Sequence, residues 1–230
     1  FAIFLIAAAS GALNVASISS VFNQAIYKPL ARMSAILALT LLAGGLAVLV
    51  LDLGRADRLI VAMTSYNFKS IFAWNIYLYT GFFVIVLAYL WTMFDPAMHQ
   101  HTRKAGTAAF LWRLALTTGT GSIFGFIAAR QGYDAALMAP MFIIMSFAFG
   151  KAIFLILLIG VYRYTERSIS ADLILRLKNL FGVFVAAVLY FTVVFHITNL
   201  YAAEHADFER FILVDGGIFT FLFWWVQILM

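Results

Sequence analysis

The 230-residue chain is 65% hydrophobic and only 11% charged, with a net charge of +5 and a mean hydropathy of +1.00. Soluble globular domains carry about a quarter of their residues as charges, so this composition excludes that class. The lack of cysteine excludes disulfides, thiolate metal sites and cysteine-held iron–sulfur clusters within the chain. Basic residues are scattered through short loops, which offers nucleic acid no surface.

In chain order, seven apolar stretches, roughly 1–22, 33–51, 70–94, 108–129, 138–162, 178–199 and 210–230, are long enough to cross a hydrocarbon core of about 30 Å as helices. The alternating pattern of a membrane barrel does not occur, so the fold is read as all-α, a polytopic transmembrane helical bundle with seven spans. Pro29, Pro96 and Pro140 all fall at or outside the ends of these stretches, where the missing N–H does little harm. Gly121 and Gly125 have the spacing that lets helix backbones approach closely. The chain opens at Phe1 without a basic leader and closes inside an apolar stretch, so both ends read as cuts through helices of a longer, truncated protein.

Loop charge predicts the orientation. Lys28, Arg32, Arg103, Lys104, Arg163, Arg167, Arg176 and Lys178 follow the first, third and fifth segments, eight against the five (Arg55, Arg58, Lys69, Arg130, Arg210) after the even ones. The positive-inside bias places the first set in the cytoplasm and the corner Asp52–Arg58 on the opposite face.

Charges within the stretches need a reason. Lys151 lies near the middle of its segment, where a lysine costs about 2.5–3.5 kcal/mol; it either has a structural partner, Asp215 or a backbone carbonyl, or belongs to a proton or substrate path. Asp215, about two turns in from the outer face, also needs a partner. Arg113 is close enough to the cytoplasmic end to snorkel, and reads as an anchor. Of four histidines only His196 lies in a span, half of a bis-histidine site at best, so no haem is expected on this chain alone. His196 itself reads as an interfacial residue bonded to neighbouring backbone.

The remaining polar groups gather toward the outer ends: Asp52, Arg55 and Arg58, then Trp74-Asn75-Ile76-Tyr77, then Thr117 to Ser122, then Arg130 and Tyr133. A cleft there would combine aromatic walls, hydroxyl and amide donors and a basic rim. That mix suits a quinone, although an aromatic, Thr/Gly-rich helix taken by itself is more often packing than a site.

Asp52-Leu53-Gly54-Arg55, closing a helix that begins after Tyr27-Lys28-Pro29-Leu30-Ala31-Arg32, resembles the signature of the polysulfide reductase NrfD-type membrane subunits. The stretches from Ser70 to Thr80 and from Thr120 to Phe124 look closest to the branch holding DsrP and the hydrogenase HybB subunit; Tyr201 to His205 and Phe223 to Ile228 resemble the later part of that family. The resemblance implies a bundle of eight to ten spans in a bacterial or archaeal cytoplasmic (inner) membrane. It implies a haem-free subunit without an iron–sulfur cluster of its own, reacting with menaquinone or ubiquinone. The implied partners are an extracytoplasmic ferredoxin-like iron–sulfur subunit, further subunits of a redox complex and membrane lipid.

Carried onto this chain, quinone binding falls to Asn14, Asp52, Arg55, Asn75, Tyr77 and Ser122, and partner docking to Arg58, Arg130 and Tyr133. Lys151 and Asp215 would form a proton path. Residues 1–129 would make a first bundle with the quinone pocket, and 130–230 a second bundle with the path. Hydrogenase-type members place His-Gln-Ser-Ser before the Gly-Ser step, where this chain has Leu116-Thr117-Thr118-Gly119-Thr120, so the acid–base group must be another residue or water. The competing class is an ion-translocating or secondary transporter protein with Lys151 and Asp215 as coupling charges.

Overall fold

A computed structural model describes residues 1–52, 54, 61, 64, 70–127 and 132–229. Arg55, Arg58 and Arg130, three of the expected site residues, lie outside the described set. Within it the chain is helical: α1 (Ala2–Ala12), α2 (Asn14–Ser20), α3 (Lys28–Asp52), α4 (Ile71–Phe94), α5 (Thr102–Gly125), α6 (Met138–Tyr164), α7 (Ala171–Tyr201), α8 (Ala206–Arg210) and α9 (Ile218–Leu229), with a π-helical turn at Phe211–Asp215.

Five helices among the described residues are long and apolar enough to cross a membrane, against the seven expected: α1 with α2, α3, α4, α6 and α7. The other two expected spans differ for separate reasons. α5 has the length, 24 residues, but carries Arg103, Lys104 and Arg113 and turns Arg113, Thr117 and Thr120 into the bundle. The last segment yields only 12 helical residues, because the π turn and the Gly216-Gly217 pair, with Gly217 at a φ of 56°, interrupt it.

α1 is the centre of the packing and touches α3, α5 and α6. Glycine makes this possible. A Cβ on Gly11 would overlap the Ser146 carbonyl oxygen, and one on Gly150 the Ala12 nitrogen, so α1 and α6 cross backbone to backbone. Gly121 and Gly125 likewise press α5 onto Met138, Ala139 and Ala135, as their spacing implied.

The break between α1 and α2 at Leu13 frees backbone groups that hydrocarbon cannot satisfy. Ser34 of α3 repairs it, donating to the Ala12 carbonyl at 2.7 Å and accepting from the Ala16 N–H at 3.0 Å. The main apolar core draws on helices from α1 to α7, and a smaller one joins Met138 and Met141 to Phe195. α7 and α9 present Val183, Tyr190, Val193, Ile197, Phe221 and Trp225 outward, the surface expected where lipid or another subunit is the solvent.

Candidate functional site

The polar interior begins at Arg113. Its side chain is 1% exposed and does not snorkel as the sequence implied. Nη1 donates to the Ser10 carbonyl of α1 at 3.0 Å, and the guanidinium lies over the rings of Phe110 and Phe147, 4.9 and 4.6 Å from their centroids. Small residues on α1 leave room for the side chain to turn inward, and rings on α5 and α6 shield it. Lys151, fully buried, sits one turn beyond Phe147 on α6 and next to the Gly150 crossing. Asn14, one turn beyond Ser10, is buried at the start of α2.

These three residues share one property. Asn14 Nδ2, Arg113 Nε and Lys151 Nζ are buried donors that meet no acceptor among the described residues. Glu209 is the buried carboxylate of the described set, and it is engaged elsewhere. Donors buried in this way are costly unless an acceptor enters, so the α1–α5–α6 junction has hydrogen-bonding capacity to offer.

A second polar set lies toward the other end of α5. Asn75 of α4, 1% exposed, donates through Nδ2 to the Gly119 carbonyl at 3.3 Å and accepts at Oδ1 from Thr120 at 3.3 Å. Gly119 is a glycine because α4 approaches so closely there: a Cβ would meet Leu78 at 2.6 Å. Trp74 and Tyr77 flank this pair on the open side of α4, 52% and 40% exposed, with ring centroids 6.3 Å apart. Ser122 donates to its own helix at the Thr118 carbonyl, 2.7 Å away. Tyr133 packs on Phe124 at 5.4 Å, and Asp52 is exposed at the end of α3, ahead of Gly54 at a φ of 65°.

The structure therefore joins Asn75 to Thr120, keeps Tyr77 on the exposed side of α4, and separates both from Asn14. Counting from the Ser10–Arg113 contact, Asn14 and Thr120 lie in opposite directions, roughly 16 Å apart along the axis at 1.5 Å per residue. Lys151 and Asp215 are not a pair: Asp215 Oδ2 takes Arg210 Nε at 2.9 Å on an exposed surface.

At the end that loop charge assigns to the cytoplasm, Ser19, Ser20, Lys28, Arg32, Tyr89 and His99 line a cavity of about 380 Å³. Tyr89 reaches across it, bonding the Ser20 hydroxyl at 2.6 Å and the Ala16 carbonyl at 3.0 Å.

Sequence reasoning missed a third cluster. His196 of α7 does not bond neighbouring backbone; its Nδ1 lies 2.6 Å from Oε2 of Glu209, and Asn199 Nδ2 donates to the other carboxylate oxygen at 2.9 Å. The turn after α7 brings α8 back against the helix it left. An acid thirteen residues beyond a histidine carries no helical spacing, so the sequence offered no signal for the pair. Among the described residues, no group of three metal-ligating side chains forms.

Comparison with known proteins places this geometry in context. The chain is 28% identical over 226 residues to an Hdr-like menaquinol oxidoreductase integral membrane subunit of Archaeoglobus fulgidus, covering 98% of this chain and 57% of that protein. It is 21% identical over 268 residues to a selenate reductase subunit of Mesobacillus selenatarsenatis, covering 99% and 62%. The chain thus spans little more than half the length of these relatives. No solved structure matches it. The family described as Polysulphide reductase, NrfD, matches residues 1–230, and the chain belongs to that family of oxidoreductase membrane subunits.

Proposed function

We propose that this chain is the quinone-reactive subunit of a respiratory oxidoreductase, exchanging electrons between the membrane quinone pool and an iron–sulfur subunit docked on the extracytoplasmic face. The observation that carries this reading is the polar column inside a lipid-facing bundle. It runs from the Lys28–Arg32–His99 cavity past Tyr89 and Asn14 to Lys151 and Arg113, then along Thr117 and Thr120 to Asn75. A structural anchor has no use for buried donors without acceptors, whereas proton-coupled chemistry does.

A bound quinone, menaquinone or ubiquinone, supplies the two-electron, two-proton chemistry. In this reading the headgroup enters at the outer end, where Asn75 and Thr120 exchange their present bonds to each other and to α5 for bonds to ring carbonyls, Trp74 and Tyr77 provide aromatic walls, and Asp52, Arg55 and Ser122 complete the rim. Arg58, Arg130 and Tyr133 serve as the docking surface. Lys151, with Asn14 and Arg113, passes protons through the bundle, and Asp215 with Arg210 stands near the outer mouth. The chain itself supplies pocket, proton exchange and docking, in a bacterial or archaeal cytoplasmic membrane, while the redox metals belong to its partner. The name of one relative, a menaquinol oxidoreductase integral membrane subunit, supports the quinone reading, and that of the other, a selenate reductase subunit, supports a place in a multi-subunit reductase.

The test is anaerobic oxidation of a short-chain naphthoquinol by the purified complex. An Asn75→Leu complex that assembles but loses most of its quinol oxidation supports the assignment; near-normal turnover overturns it.

A further inference from the structure

Glu209 is the fully buried acid of the described residues, and it sits in α8, folded back against the end of α7 where loop charge places the extracytoplasmic surface. A lone buried carboxylate is costly, and this one accepts two directed bonds, from Asn199 Nδ2 at 2.9 Å and from His196 Nδ1 at 2.6 Å. The arrangement fixes the imidazole. With Nδ1–H donating to the carboxylate, Nε2 is left as the basic nitrogen, on a side chain that is 18% exposed. Aromatic rings frame it: Phe223 lies 4.9 Å away edge-on and Phe195 5.4 Å. Phe195 in turn belongs to the Met138–Met141 cluster, whose flank includes Phe124 near the Ser122 end of α5.

We propose that His196, positioned by Glu209 and Asn199, is the proton-exchange group of the outer face, filling the acid–base role for which the fourth span offers no histidine. The proposal rests on the quinone reading above. Oxidation of a quinol breaks two O–H bonds and yields two protons and two electrons. One proton leaves the quinol at the α4–α5 face into water and reaches His196 Nε2 through that water, Glu209 stabilises the resulting imidazolium, and the proton passes on to the outer phase. The second proton leaves directly to water, and the electrons go to the iron–sulfur partner. In the reverse direction the same group donates. The other titratable groups on the elements around it are Tyr201 of α7, Glu204, His205, Asp207 and Arg210 of the α8 region, and Asp215 of the π turn; the facing turn of α6, Met138 to Met145, and all of α9 carry none.

The experiment uses the assembled complex with His196→Gln, which retains an amide to bond Glu209 but cannot titrate, and Glu209→Gln as the second variant. Two readouts are needed: anaerobic single-turnover oxidation of menadiol between about pH 5.5 and 8, the range in which histidine changes charge, and pH-difference infrared spectra recorded without quinone. The expected result is assembly of both variants. Turnover in His196→Gln falls by about two orders of magnitude and loses its dependence on pH. The His196→Gln spectrum loses the His196 contribution to the imidazole band and keeps that of the other three histidines, and both spectra lose the Glu209 contribution to the carboxylate band. A His196→Gln complex with wild-type rate, pH profile and infrared difference defeats this proposal and leaves the quinone reading intact. A wild-type complex that never oxidises menadiol overturns both.

Discussion

Ser10 and Arg113 hold each other twice across the α1–α5 boundary. The guanidinium donates to the Ser10 carbonyl at 3.0 Å, and the Ser10 hydroxyl donates to the Arg113 carbonyl at 3.3 Å. A cation is thereby kept within the bundle, one helix over from Lys151, with no carboxylate beside either among the described residues. Structure alone gains nothing from that, since hydrophobic replacement of buried charge is often neutral or stabilising. Lys151→Met should therefore hold or raise thermal stability, by up to about 3 kcal/mol, while quinol turnover drops about tenfold or more. Calorimetry alongside turnover decides: a variant that is less stable and fully active makes Lys151 structural.

The α1–α6 crossing makes a steric prediction. Gly11→Ala or Gly150→Ala drives a methyl into the backbone of the facing helix, and should cost about 3 kcal/mol or more and reduce the yield of folded protein. Gly182→Ala, which meets open space on α7, should be neutral or stabilising by about 0.5–1 kcal/mol. Thermal denaturation in detergent compares the three.

Much of this was legible in the sequence. Long apolar runs announce membrane helices, and the Gly121–Gly125 spacing announced a close helix approach without saying that α6 would be the partner. Arg113 was misread because its distance from the helix end allows snorkelling; what decides is that α1 presents Ser10 and that Phe110 and Phe147 close over the guanidinium. The His196–Glu209 contact was invisible because it joins two elements through a turn, with no periodicity to betray it. Lys151 and Asp215 looked like partners only because each lacked one in the sequence; Arg210, five residues before Asp215, takes that place.

Ser34 closes the α1–α2 break through two bonds, so Ser34→Ala leaves the Ala12 carbonyl and the Ala16 N–H without their partner. The loss should be about 1–3 kcal/mol, with faster amide exchange around Leu13 and Asn14. Unchanged exchange there would mean that the break closes by itself.

Arg55→Ala, at the corner that follows α3, should leave the complex assembled and abolish quinol oxidation. Blue-native electrophoresis reports the first and menadiol oxidation the second. An active Arg55→Ala complex removes that residue from the pocket rim.

The central claim is that a quinone ring docks against the outer halves of α4 and α5. Photolabelling the purified complex with an azido-naphthoquinone, followed by peptide mapping, addresses it most directly. Label in residues 74–80 and 116–122 that excess menaquinone competes away is the predicted result. Label confined to the lipid-facing surface of α7 and α9, insensitive to menaquinone, would contradict it.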